Sequence, residues 1–315
     1  MTLYTANRAC ALLYQIVRNS PKGTYFVPAN VCPTVPLTIG LAGCDFEFID
    51  IDERSLCINE ETCLSKLAND KDKYVGIIFV RTYGYIYDAS SFFLKLHNYK
   101  SDFTIIDDRC LCLPSIEDNL EESDFILYST GYGKQVNLGK GGYCKSKRNL
   151  CTYKPDHLDY TGLDIDNYCK ETVKSGKKFE ELPVGWLSLK NIDISKDLYL
   201  EKINDYSNKI IKHKAKINSI YNQELKSVKR LPSDYQNWRY NILVPKEQKE
   251  EILSNLFNNK CFASSHYSSV NLLFNQEIFK VTSYISDRII NLFNDFYYTE
   301  EQAWMTTQII NKILK

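Results

Sequence analysis

Short apolar runs and stretches of helical period alternate along the first part of the chain. Ala9, Leu12, Leu13, Ile16 and Val17 share one side of a helix over residues 7–18. Asn7 stands as its N-cap, and with Arg8 it opens a helix start whose free N–H groups suit an anion. An ordinary capped helix has the same pattern. Tyr25-Phe26-Val27 reads as a strand ending at Pro28, and Val31 to Leu41 as a mostly apolar helix after Pro33. Gly43 turns the chain into an alternating strand from Asp45 to Asp50. A helix around Glu60 to Leu67 precedes the buried strand Val75 to Val80, which runs on to Tyr83-Gly84. A helix near Ser90 to Leu96 leads into the strand Phe103 to Ile106, and Phe125 to Tyr128 is one more apolar run. This alternation predicts a mostly parallel sheet with helices on both faces. Ligands of such sheets gather at the carboxyl ends of the strands, where Tyr83, Asp108 and Ser129 fall.

From Lys145 to about Ile192 the periodicity weakens. Pro155, Pro183 and a mixed-charge run from Lys174 to Glu181 read as a linking region with a solvated face. Leu200, Ile203, Ile210, Ile217 and Tyr221 then mark a long amphipathic helix, with Lys209, Lys212, Lys214 and Lys216 facing solvent. Tyr240 to Val244 reads as a strand ending at Pro245. Lys246 to Phe257 follows as a helix with Ile252, Leu253, Leu256 and Phe257 on one face. Thr299 and Gln302 form a capping box before a last helix to Leu314, lined by Ala303, Thr307, Ile310 and Leu314. These breaks divide the chain into a large domain, residues 1–192, and a small C-terminal α+β domain, residues 193–315.

Composition narrows the function. Lysine plus arginine and aspartate plus glutamate both number 39 in 315 residues, so no basic face is expected for nucleic acid. Eleven cysteines, an odd number with no CxxC pair, read as buried free thiols in a reducing cytosol. His97, His157, His213 and His266 lack metal-ligand spacing, so no metal is expected. The first residues lack the apolar core of a signal peptide, and no apolar run is long enough to span a bilayer. A cytoplasmic protein without a membrane partner is the expectation.

The candidate chemistry lies in Leu127 to Tyr143, LYSTGYGKQVNLGKGGY. A strand there breaks into glycines around Lys134, and a lysine so placed can be a nucleophile toward a carbonyl cofactor. The GKGG segment lacks the spacing of a nucleotide-binding loop. Upstream, an apolar strand ends on Asp107 and Asp108. Alternate strand residues point to opposite faces, so Asp107 is expected to face away. The ordered set reads as a pyridoxal phosphate site. Lys134 would bond the cofactor aldehyde and move the proton, Asp108 would keep the ring nitrogen protonated, and Ser129 with the N–H groups near Asn7 would take the phosphate.

The pieces TANRACALLY, VPANVCPTVPLTIGLAGCDFEFIDID, VRTYGYIYD, IIDDRC and YSTGYGKQVNLGKGG resemble the DegT/DnrJ/EryC1/StrS family of sugar aminotransferases, as do NWRYNILVP, FASSHY and DRIINLF nearer the end. The resemblance runs nearly end to end and implies the fold of a fold-type-I aminotransferase. It places the family's ring aspartate on Asp108, and its serine five residues before the lysine on Ser129 and Lys134. It also brings departures. Leu111 stands where a glutamine is usual, Cys32 where an aromatic ring often stacks on the cofactor, and Lys140 where GEGG has its acid. Gly185-Trp186 occupies a shortened region in which many members present an asparagine to the neighbouring subunit. Substrate-side candidates are Arg239, for a carboxylate or phosphate, His266 and Tyr267 on a loop, and Tyr83. A surface ion pair for Arg239 and simple packing for the others are the competing readings.

The resemblance implies a homodimer that moves an amino group from an amino acid such as glutamate to a keto-sugar, nucleotide-linked, in surface polysaccharide or related biosynthesis. A decarboxylase or lyase on the same cofactor, an aminotransferase for a small keto compound, or a non-catalytic relative are the alternatives.

Overall fold

The computed structural model describes residues 1–153, 159–275 and 277–314. Pro155 and His157, singled out above, lie outside the described residues. In chain order the elements are β1 Thr2–Ala6, α1 Ala9–Arg18, β2 Thr24–Pro28, α2 Thr34–Leu41, β3 Asp45–Ile49, α3 Glu60–Asn69, β4 Tyr74–Val80, α4 Ser90–Tyr99, β5 Thr104–Asp108, β6 Phe125–Ser129 and β7 Gly142–Ser146. There follow α5 Ile165–Lys174, α6 Lys196–Glu224, β8 Tyr240–Leu243, α7 Lys246–Asn258, β9 Ala263–Ser264, α8 Lys280–Ser286, β10 Ile289–Leu292 and α9 Glu300–Ile313.

The large sheet has the order β1-β7-β6-β5-β4-β2-β3. Strands β2 to β6 pair in parallel, and β7 is antiparallel to both β6 and β1. The sheet is therefore mixed at one end. β7 was not revealed by the sequence pattern: its first residues read as the end of the glycine-rich stretch and its last as the start of the linking region. It carries Lys145 and Ser146 on a fully buried strand, which hides a strand's apolar signature.

Side chains alternate across the sheet. Tyr25, Val27, Ile106 and Leu127 pack on one face with α1 and α2. Phe26, Ile77, Phe79 and Ile105 pack on the other with α3 and α4. Each such fully buried side chain contributes ~1.5–3 kcal/mol, which makes this double-sided core the main support of the sheet. Asp107 follows the same alternation. It lies on the far side from Asp108 and is bound by Arg81 at 2.7 and 3.0 Å and by Arg109 Nε at 2.8 Å.

A second sheet, β8-β10-β9, packs against α6, α7 and α9. The capping box is present: Thr299 Oγ1 accepts from Gln302 N–H at 3.1 Å, and Gln302 Oε1 from Thr299 N–H at 3.0 Å. Helix α6 spans both cores. Tyr199 and Ile203 pack with Tyr128 and Tyr143 of the large sheet, while Ile217 and Tyr221 pack under the small one. The segment 270–274 crosses the other way, with Val270 N–H bonded to Ala29 O at 2.9 Å and Phe274 against Phe46 and Phe48.

Three local expectations are corrected. Arg8, not Asn7, occupies the cap position of α1, and it makes no side-chain cap bond. Asn7 belongs instead to the extended connection, its N–H donated to Lys190 O at 3.0 Å. Phe257 does not share the buried face of α7 with Ile252 and Leu256, and it is exposed. Lys214 does not face solvent. It is buried and donates to Trp238 O at 2.8 Å and Asn294 Oδ1 at 2.6 Å, because position 214 continues the apolar stripe of Ile203, Ile210 and Ile217.

Candidate active site

The topology brings one end of every parallel strand to the same edge of the large sheet. Asp108 ends β5, Ser129 ends β6, Tyr83 follows β4, Cys32 follows β2, and α1 opens just after β1. Gly142 starts β7 there, opposite both Ala6 and Ser129. A Cβ at Gly142 would stand 2.8 Å from the Ala9 Cα and N, so glycine is what lets the first turn of α1 lie against the strands.

The stretch between Ser129 and Gly142 is a closed loop. Leu138 N–H donates to Thr130 O at 2.9 Å, Thr130 N–H to Gly141 O at 3.0 Å, and Gly141 N–H to Asn7 O at 2.7 Å. Thr130 Oγ1 donates to Lys140 O at 2.7 Å. Lys140 pairs with Asp193 on the surface, which explains a cation where an acid is usual. Lys134 sits half-buried in the middle of this loop. Ser129 Oγ accepts from Gly131 N–H at 3.4 Å, which leaves its O–H to donate elsewhere.

Electrostatics bind the cluster together. Burial raises the Asp108 carboxyl above the ordinary range, against the pull of the Cys110 N–H and thiol and of the Lys134 charge. Burial likewise pushes up the thiols of Cys32 and Cys110, and Lys134 pulls both down. The Cys10 thiol, at the first turn of α1, lies in the field of Arg8 and Cys32 and is pushed up to about 11, chiefly by burial. Lys134, Asp108, Cys32 and the start of α1 are thus one neighbourhood.

Residues of the C-terminal part of the chain lie against it. Burial pushes the Tyr267 phenol far up, and Cys32, Asp108 and Tyr83 add to the shift. Surrounding protein, then the charges of Arg239, Lys134 and Lys170, bring the His266 imidazole down to about 4. His266 itself is exposed, its ring beside those of Trp238 and Tyr267. Arg239 is buried, bonded to Asp295 at 2.7 Å and set over the Phe293 ring at 3.5 Å, so its ion pair is interior and not the surface pair weighed above. Tyr83 is fully buried, and its hydroxyl donates to the His266 carbonyl at 2.6 Å.

The sequence profile of the DegT/DnrJ/EryC1/StrS aminotransferase family matches residues 2–303. The chain belongs to that family. As a family member it is an aminotransferase that works with pyridoxal phosphate. No match to a curated protein sequence was found. Among similar solved structures is PseC of Helicobacter pylori, an aminotransferase of pseudoaminic acid biosynthesis, with 16% identity and a TM-score of 0.73 over 100% of this chain and 87% of that one. A DegT/DnrJ/EryC1/StrS aminotransferase from Brucella abortus shares 16% identity, with a TM-score of 0.72 over 100% and 86%. NtdA of Bacillus subtilis, solved with bound cofactor PMP, shares 16% identity, with a TM-score of 0.74 over 100% and 74%. These likenesses establish the shared fold.

The donor set of this DegT/DnrJ/EryC1/StrS chain fits a pyridine ring with an aldehyde and a phosphate. Asp108 is a buried anion whose Oδ1 accepts from Cys110 N–H at 2.9 Å, and no arginine or lysine is ion-paired with it among the described residues. A ring N–H would supply that missing positive partner. Sequence reasoning missed Cys110, Gln135 and Trp238. Gln135 Nε2 donates to Leu111 O at 2.9 Å and Trp238 Nε1 to Gly133 O at 2.6 Å, so the two hold the loop on either side of Lys134. Their signal was faint: a polar residue directly after the lysine, and a tryptophan beside Arg239.

Proposed function

We propose that this enzyme takes the amino group of an amino acid, glutamate, and gives it to a nucleotide-linked keto-sugar used in surface polysaccharide or related biosynthesis. Lys134 would hold the pyridoxal phosphate, Asp108 would face the ring nitrogen, and Ser129 with the α1 start after Arg8 would face the phosphate. The observation that carries the reading is the shared neighbourhood of Lys134 and the buried Asp108 at the carboxyl edge of the sheet.

Bound there, the cofactor supplies an electron sink for the α-carbon of the amino donor. The residues of the chain do the rest. The Lys134 amine would bond the cofactor aldehyde and, once released, would carry a proton at the reacting carbon. The Asp108 carboxylate keeps the ring nitrogen protonated, since an anion next to a cation favours its charged form. Cys32, smaller than the aromatic residue that often stacks on the ring in the family, would offer the ring only a small contact. Arg239, His266, Tyr267 and Tyr83 form the substrate side. A neutral His266 accepts or donates a hydrogen bond without adding charge. Tyr267, enclosed by protein and in the field of Asp108, would help to exclude water from that carboxylate.

Support for the sugar comes from similar structures such as PseC, an aminotransferase of pseudoaminic acid biosynthesis; glutamate is taken from the resemblance of the sequence to the family. A cytoplasmic homodimer belongs to the same reading. Among the described residues no helix is long and apolar enough to cross a membrane. The test adds pyridoxal phosphate to purified protein and follows the visible absorbance. An absorbance that vanishes in Lys134→Ala, and that glutamate converts to the pyridoxamine form, is the expected result. No conversion by glutamate would exclude that donor, and no Lys134-dependent absorbance would end the whole reading.

A further inference from the structure

Gly133, the residue before Lys134, has φ +71°, and a Cβ built there would meet nothing within 4 Å. Tyr132 beside it is 80% exposed. Packing therefore does little to fix the peptide that leads into the lysine. A hydrogen bond does so instead: Trp238 Nε1–H donates to the Gly133 carbonyl at 2.6 Å, across 105 residues of sequence. Trp238 is itself buried and held from several sides. Its ring stacks on Tyr83 with centroids 6.1 Å apart and planes 10° from parallel. Its carbonyl accepts from Lys214 Nζ at 2.8 Å, and Lys214 also donates to the buried Asn294.

We infer that Trp238 is a positioning residue for Lys134, through which the small domain sets the path of the lysine into the site. Glycines at 131 and 133 give this loop wide backbone freedom. Fixing one carbonyl next to the lysine removes much of that freedom, and a misplacement of ~1 Å at a reacting group can cost about 10²-fold in rate. The donor comes from the small domain and the acceptor from the loop that closes the large sheet, so the bond also ties the two together. Lys214 and Tyr83 act behind Trp238, one on its backbone and one on its ring.

The inference rests on Lys134 as the cofactor lysine, so its test includes an arm that needs no cofactor. Trp238→Phe keeps an aromatic ring beside Tyr83 and removes the donor. In cofactor-free protein, amide exchange over residues 131–136 is expected to quicken about tenfold, the scale of one lost hydrogen bond. Trp238→His keeps a ring N–H and is expected to fall between that variant and the wild type. Exchange in Trp238→Phe equal to the wild type overturns the proposal, as does an equal effect of both substitutions. With pyridoxal phosphate added, the pH midpoint of the Lys134-dependent absorbance is expected to move in Trp238→Phe, and an unmoved midpoint also overturns it. If the wild type lacks that absorbance, the Lys134 reading fails while the exchange measurement still decides the clamp. Should Trp238→Phe not fold, Lys214→Met frees the same tryptophan from its carbonyl side. Faster exchange over 131–136 is expected there too, and unchanged exchange counts against the proposal.

Discussion

The hydroxyl of Tyr83 donates to the carbonyl of His266 at 2.6 Å and joins two residues 183 positions apart in sequence. The N–H of His266, on the preceding peptide, donates to Asn291 Oδ1 at 2.7 Å. Asn291 is buried on β10 and donates in turn, from Nδ2, to Asn241 Oδ1 of β8 at 2.6 Å. His266 is thus gripped by its backbone from Tyr83 on one side and the small sheet on the other, and its ring lies against those of Trp238 and Tyr267, with centroids 5.7 and 5.1 Å away.

Tyr83→Phe removes one jaw of that grip and leaves a carbonyl without its donor. A hydrogen bond of this kind contributes ~0.5–1.5 kcal/mol, and an unsatisfied buried partner raises the cost to about 1–3 kcal/mol. Unfolding in urea should show a lower midpoint with an unchanged slope. A midpoint equal to the wild type would mean that the bond does not support the loop.

The neighbours Asp107 and Asp108 should separate stability from activity. Asp107 is fully buried between the guanidinium groups of Arg81 and Arg109. Asp107→Asn leaves those charges under-compensated, and breaking a buried pair costs about 3–5 kcal/mol. Asp108 carries a raised pKa without bound cofactor, chiefly from burial. Between its unfolded and folded pKa values the folded state holds more protons than the unfolded one, so its contribution to stability falls as pH rises through that window. At pH 7, Asp108→Asn should therefore leave cofactor-free protein at least as stable as the wild type, while amino transfer drops by about 10²-fold or more for lack of the ring partner. Calorimetry on the cofactor-free variants and a glutamate half-reaction on the loaded ones make the comparison. A destabilised Asp108→Asn with normal turnover would reverse the assignment.

Lys214 gives the chain a pH dependence of its own. Burial, then the nearby Arg239, lowers its ammonium from the usual range to about 7. Above that value the folded state releases a proton that the unfolded state keeps up to the ordinary lysine range. Folding stability from this group therefore rises with pH between about 7 and the usual lysine pKa. Lys214→Met should flatten that rise, with melting temperatures taken from pH 7 to 9.5 as the measure. Parallel curves for the two proteins would show that Lys214 keeps its proton throughout.

Most of the large sheet was legible because its central strands are mostly apolar, β3 alternates, and glycine or proline marks several of the turns. The edge that builds the site was legible through chemistry: Asp108, Ser129 and Lys134 are residue types that a strand end seldom holds together. What escaped were features set by contacts between distant segments. Lys214 continues an apolar stripe, yet a lysine in an amphipathic helix reads as solvated until Trp238 O and Asn294 are seen beside it. Asp50 looked like the end of a strand. It caps α8 from another part of the chain, accepting from Val281 and Thr282 N–H at 2.9 Å each. Asn7 looked like a cap because its residue type is right, but Gly141 and Lys190 claim its backbone and shift the cap to Arg8.

Gly142 tests whether the start of α1 serves the site. A Cβ there would lie 2.8 Å from the Ala9 Cα and N and 3.0 Å from Tyr128 O. All three are backbone atoms of regular elements or their first residues, so no side-chain rotation relieves the clash. Gly142→Ala must push α1 away from β6 and β7, at a cost of ~1–3 kcal/mol for an overpacked core. Because the displaced turn carries Arg8 and Cys10, the affinity for pyridoxal phosphate should fall about tenfold or more. Gly162→Ala is the control: its φ of +82° makes alanine strained, but a Cβ there meets nothing within 4 Å. It should lower stability by ~1 kcal/mol and leave cofactor affinity alone. Spectroscopic titration of both variants with pyridoxal phosphate decides the matter. Equal losses of affinity would show that α1 makes no special contribution to the phosphate end of the site.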